Sequence, residues 1–162
     1  MALLNSSLIK NSVVICTIDR IDFSTESIFT SSVGLLNNID FSATSSNLYG
    51  YFGGGGPDVK STISRLDFST ETVTTPTPKL SQAKSQLTAT SSDSCGYFAG
   101  GLDSTATPPV VICTIDRLDF STETVSVPTS KLSQARRFLA ATSSSSYGYF
   151  SGGDLLGTPP VS

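Results

Sequence analysis

One octapeptide is written three times along this chain. Asp19-Arg20-Ile21-Asp22-Phe23-Ser24-Thr25-Glu26 returns 45 residues later as Ser64-Arg65-Leu66-Asp67-Phe68-Ser69-Thr70-Glu71. It returns after a further 52 residues as Asp116-Arg117-Leu118-Asp119-Phe120-Ser121-Thr122-Glu123. A second pattern follows each copy: Tyr49-Gly50-Tyr51-Phe52-Gly53-Gly54, Cys95-Gly96-Tyr97-Phe98-Ala99-Gly100-Gly101 and Tyr147-Gly148-Tyr149-Phe150-Ser151-Gly152-Gly153. Self-similarity at a fixed period means that each repeat is one supersecondary unit whose apolar face is buried by its neighbours. The repeats span 13–54, 59–101 and 110–153, with 154–162 as a lead-in to a further copy. Length varies between the double glycine and the next Arg-Leu-Asp-Phe, where a surface loop absorbs it.

Each repeat reads as four short strands. The segment ending in Tyr-Phe is aromatic and bounded by glycine, as a buried strand requires. Val13 to Phe23 and Val110 to Phe120 are rich in Val, Ile and Thr, which suit a pleated, half-buried surface. Asp-Phe-Ser-Thr-Glu reads as a hairpin turn, because Asp and Ser/Thr side chains bond their own backbone there. Thr72-Val73-Thr74 and Thr124-Val125-Ser126-Val127 return, and Pro76, Pro78 and Pro128 end them. Gln86 to Thr90 and Phe138 to Thr142 supply the fourth strand; Leu80 to Lys84 is open between a loop and a helical turn.

Four strands in about 50 residues match a propeller blade, and the residues resemble kelch repeats. The double glycine after a hydrophobic strand resembles the kelch hallmark. Leu66 to Val73 keeps the register of the kelch Tyr-Asp-Pro-x-Thr-x-x-Trp motif: Asp67 and Thr70 match, while Leu66, Phe68 and Val73 replace its Tyr, Pro and Trp. Ala135-Arg136 matches the kelch Ala-Arg, and Ala83-Lys84 is similar. The style of the repeats is similar to Gly-Tyr-Phe-Gly-Gly kelch-like proteins of phages and large viruses. The resemblance implies an all-β fold of three four-stranded antiparallel blades per chain in a permuted frame. It also implies a virion component, located in the virion or in the host cytoplasm during assembly.

The phase of the repeats gives an expectation about assembly. Val13 to Arg20 recurs identically at Val110 to Arg117, after Thr107-Pro108-Pro109. Thr158-Pro159-Pro160-Val161-Ser162 repeats that lead-in. Two strands of one blade are therefore expected at each end of the sequence, and three blades are too few to close a ring. Copies are expected to share blades head to tail, as a six-bladed ring of two chains or an open filament. Val14, Ile15, Cys16, Ile18, Tyr149 and Phe150 are the expected inter-chain strand positions. Repeat one is degenerate over Val33 to Phe41, where Asn38 stands near the place of Ala83 and Ala135.

Other readings of the repeated residues are structural. Arg20, Arg65 and Arg117 stand two residues before Asp22, Asp67 and Asp119, on one face of a strand, where each pair can meet. Gly53, Gly54, Gly100, Gly101, Gly152 and Gly153 supply positive φ and room at a strand end, and lack the Gly-Lys-Ser/Thr of a phosphate loop. Tyr51-Phe52, Tyr97-Phe98 and Tyr149-Phe150 read as packing between blades rather than as sugar platforms. Asp19, Asp22 and Glu26 do not form a calcium loop. The chain has no His, which removes the commonest general base and the Ser-His-Asp and Cys-His arrangements. No enzyme activity, cofactor, catalytic residue or metal site is expected. Cys16, Cys95 and Cys113 are odd in number and read as small hydrophobes, with an inter-chain disulfide as the alternative.

Composition agrees. Charged residues are 14% and the net charge is −3, which excludes a nucleic-acid footprint. No apolar run approaches the 18 residues or so of a membrane helix, and Met1 to Asn5 is too short and uncharged for a secretory signal. The expected partners are other copies of the chain, other virion proteins and, in a lectin-like alternative, glycans. A filament-forming protein outside a virus and a kelch adaptor for other proteins are the remaining alternatives.

Overall fold

The computed structural model describes residues 15–35, 39–56 and 58–155, and they are all-β. Strands β1 (Thr17–Ile21) and β2 (Ile28–Gly34) form one antiparallel pair. A four-stranded antiparallel sheet follows, ordered β3 (Ser42–Ser45), β4 (Tyr49–Gly53), β5 (Ile63–Asp67) and β6 (Val73–Thr74). The next sheet holds β7 (Thr88–Ser91), β8 (Cys95–Ala99), β11 (Ile115–Asp119) and β12 (Thr124–Ser126) in that order. β9 (Leu102–Asp103) and β10 (Val110–Val111) form a small hairpin between β8 and β11. β13 (Arg137–Ser143) and β14 (Gly148–Asp154) form a last antiparallel pair.

The sheets run half a repeat out of phase with the sequence units. The repeat at 59–101 gives β5 and β6 to one sheet and β7 and β8 to the next. The first sheet edges, β3, β7 and β13, pack side by side. The core lies between sheets: Tyr51 and Ile63 of one meet Phe98 and Leu118 of the other, closed over by Leu80 and Leu87. A smaller cluster of Ala99, Leu132 and Leu139 joins the second sheet to β13.

One strand expectation is corrected, and the open segment from Leu80 to Lys84 is resolved. The run Val110 to Phe120 is broken at Ile112–Thr114, because β10 pairs with β9 while β11 pairs with β8. The Ile112 N–H meanwhile donates to the Gly101 carbonyl, which draws the chain across from one sheet to the other. Leu80 to Lys84 is a bend, not a helical turn, pinned by Leu80 N–H to Ser61 O (2.8 Å) and Lys84 N–H to Lys60 O (3.1 Å). Val13, Val14, Asn38 and 156–162 lie outside the described residues.

Candidate functional site

The repeated acidic turn is a device for presenting a carboxylate. Asp67 Oδ1 accepts from Ser69 N–H (2.8 Å) and Thr70 N–H (3.1 Å), and Asp119 does the same with Ser121 and Thr122. Asp22 repeats the pattern with Ser24 and Thr25. Hydrogen bonds from the Ser side chain and the turn amides hold these carboxyls below their ordinary range, Asp119 at about 2. The turn then places Glu26, Glu71 and Glu123 at φ of 55°, 53° and 51°, the left-handed region. From there the Glu71 and Glu123 side chains reach the preceding sheet.

Two of these glutamates, Glu71 and Glu123, answer an arginine one repeat earlier. Arg20 pairs with Glu71, and Arg65 Nη1 lies 2.8 Å from Glu123 Oε1. Tyr51 Oη donates to the same Glu123 oxygen at 3.2 Å. Tyr51 also stacks on Phe120, with centroids 5.3 Å apart, and the Arg65 guanidinium sits over Tyr49. Burial, reinforced by the Glu123 charge, pushes the Tyr51 phenol up to about 12, so it stays a donor. The expected meeting of Arg and Asp two residues apart is replaced in two of the three repeats by this longer reach. In the third, Arg117 turns back to Asp119 at 3.7 Å.

A second charge pair lies inside the sheet. Lys84 Nζ is 2.7 Å from Asp116 Oδ2, with the two side chains 0% and 1% exposed. Lys84 also donates to the Phe98 carbonyl (3.3 Å), and Asp116 Oδ1 accepts from Ser81 N–H (3.0 Å). Burial pulls the Lys84 ammonium down, and the Asp116 charge opposes that pull.

The expected glycines divide by role. Gly53 is a strand residue whose absent Cβ leaves room for Phe98, 2.7 Å from that position. Positive φ belongs to the pairs one position on, such as Gly54 and Gly55 at 75° and 100°, and to Gly100, Gly101, Gly152 and Gly153. Tyr51 and Phe98 are buried, whereas Tyr97, Phe52 and Phe150 are half-buried and Tyr149 is exposed. Of the expected inter-chain positions, Ile15 and Tyr149 are exposed, and Cys16, Ile18 and Phe150 are half-buried. Val14 lies outside the described residues. No disulfide joins Cys16, Cys95 and Cys113.

Sequence reasoning overlooked Glu71, Glu123, Lys84 and Asp116. The signal was present: a glutamate closes every turn, and the base at 84 and the acid at 116 recur one or two repeats away as Arg136 and Asp19. Among the described residues no cluster of His, Cys, Asp and Glu is arranged for a metal ion, and no helix is long and apolar enough to cross a membrane. Turns around Ser46, Ser92 and Ser144, each bonding its own backbone, line one polar recess of about 390 Å3. No protein-family model matches the chain, and no curated protein is similar enough to it to count as a relative.

Proposed function

We propose that the chain is a non-enzymatic structural protein of kelch-like blades that assembles head to tail. The last pair, β13–β14, supplies the inner half of a blade, and β1–β2 of a second copy supplies the outer half. The observation that carries this reading is the two half-sheets themselves. In each four-stranded sheet the Tyr-Phe strand pairs with an Arg-Leu-Asp strand. Among the described residues, β14 pairs with β13 and β1 with β2, which leaves the other edge of each unpaired. Unpaired edges are templates for another strand.

Side-chain exposure supports the same reading. Tyr149 is 53% exposed where its counterpart Tyr51 is 1%, and Ile21 is 46% exposed where Leu118 is 0%. Burying the half of each such side chain that is still exposed contributes about 1 kcal/mol. Because the two halves differ, the contact is heterologous and gives a ring if the rotation closes and a filament if it does not. Two copies would make a ring of six blades. The resemblance to phage and large-virus proteins gives a virion component, such as a head decoration, fibre or tail appendage, as its place of use.

Light scattering on the eluted protein tests the assembly. The expected result is a multiple of the 16.9 kDa chain mass. A homogeneous folded monomer at micromolar concentration sinks the reading, and negative-stain images separate rings from filaments.

A further inference from the structure

The repeats fix the register of the composite sheet twice over. On β4 and β5, Gly50 faces Leu66, Tyr51 faces Arg65 and Phe52 faces Ser64. On β8 and β11, Gly96 faces Leu118, Tyr97 faces Arg117 and Phe98 faces Asp116. Carried through the repeat spacing, both templates give one register for β14 on a second copy's β1. Gly148 faces Ile21, Tyr149 faces Arg20 and Phe150 faces Asp19.

That register brings a missing acid to a base that lacks one. Lys84 precedes β7, bonds the Phe98 carbonyl and is neutralised by Asp116. Arg136 stands one repeat on, before β13, and its Nη2 bonds the Phe150 carbonyl at 3.1 Å, the counterpart of Phe98. No carboxylate reaches it among the described residues, and its Nε is buried without a hydrogen-bond partner. A buried guanidinium nitrogen without an acceptor is costly. The repeat counterpart of Asp116 is Asp19, which lies exposed on β1 and accepts from Thr30 Oγ1. The sheet that lacks the acid also lacks the base: buried Ser64 stands at the Asp116 position. The bridge Ile39–Gly56, counterpart of Ser85–Leu102, puts Asn38 at the Lys84 position in sequence.

Two further groups await the same neighbour. Arg20 and Arg65 each hold the glutamate of the following turn, so Arg117 is owed the next one, which is Glu26 of a second copy. The Phe68 and Phe120 rings cover Gly50 and Gly96, lying 3.2 Å from where a Cβ would stand. Gly148 has no such ring over it, and Phe23 is 90% exposed.

We propose that Arg136 and Asp19 of a second copy form a buried ion pair inside the composite sheet, with Arg117 and Glu26 of that copy forming the outer clasp. This rests on the head-to-tail reading above and names the contacts that make it selective. A charge swap tests it. Asp19→Arg and Arg136→Asp chains each place like charges at their own junctions. An equal mixture restores opposite charges at both kinds of junction, in strict alternation.

Sedimentation velocity on the full chain reads the outcome. Wild-type chain assembles, each variant alone associates at least tenfold more weakly, and the equal mixture regains the wild-type distribution. Either variant assembling like wild type, or a mixture of two folded variants that stays apart, overturns the ion pair while leaving blade sharing intact. A monomeric wild type overturns both. Because Arg136→Asp also touches the β13–β14 pair, Arg117→Glu and Glu26→Arg provide a surface version of the same swap. Circular dichroism of each variant checks that it folds. Failure of that mixture to regain association over its single variants overturns the outer clasp.

Discussion

Lys84 and Asp116 provide the sharpest test of the packing. Lys84→Met keeps the length of the side chain and removes its charge. Asp116 is then left as a buried carboxylate without its cation, since the pair is 0% and 1% exposed and separated by 2.7 Å. Breaking a buried pair from one side costs about 3–5 kcal/mol. With a urea slope of about 2 kcal/mol/M for a chain of this size, the midpoint falls by about 1.5–2.5 M. Adding Asp116→Asn removes the stranded charge and keeps an oxygen for Ser81 N–H, now 3.0 Å from Asp116 Oδ1. The double variant is expected to recover at least about 1.5 kcal/mol relative to Lys84→Met, within the usual range of coupling between contacting residues. Urea unfolding at one fixed protein concentration, followed by circular dichroism, measures both. A single variant that loses less than about 1 kcal/mol, or a double variant no better than the single, refutes the claim that the charge is truly desolvated.

Two further outcomes follow from the turns and glycines. Gly53→Ala places a Cβ 2.7 Å from the wholly buried Phe98 ring and is expected to cost about 1–3 kcal/mol in thermal or urea unfolding. Gly56→Ala, whose nearest contact would be Ile39 at 3.7 Å, is the matched control, and equal losses would contradict the packing. The turn aspartates are held below their ordinary 3.8; the contribution of Asp119, held at about 2, is complete above about pH 4 and is lost as pH falls through about 2. Melting temperature measured across that window should fall less steeply in Asp119→Asn than in wild type, and identical slopes would count against the turn.

What was legible in the sequence was whatever recurs locally. The strand around Arg65-Leu66-Asp67, the Asp-Ser-Thr turn and the double glycines Gly100-Gly101 and Gly152-Gly153 are each written within a few adjacent residues, and alternation and turn chemistry read them directly. The break at Ile112–Thr114 was not legible, because Val110 and Ile115 are equally good strand residues and only their pairing with β9 and β8 separates them. Lys84 was overlooked for a related reason. Lysine is ordinarily a surface residue, and the acid that permits its burial comes from a strand well along the chain. The Arg-Asp spacing suggested a local pair, whereas the left-handed turn sends Glu71 and Glu123 across to Arg20 and Arg65.

The arginine-to-glutamate reach has a consequence for how such a gene changes. Since Arg20 meets Glu71 as Arg65 meets Glu123, the first two periods greet their successors with the same handshake. An in-frame excision of one whole period would bring Arg20 to Glu123 and keep this clasp, and a duplication would add one more of the same kind. The identical stretches Val13 to Arg20 and Val110 to Arg117 stand two periods apart, so an exchange between them would remove or add two periods at once. Along this clasp the number of periods is therefore something inheritance can adjust by whole steps, whereas the buried Lys84–Asp116 pair belongs to one sheet and has to be kept or lost as a pair.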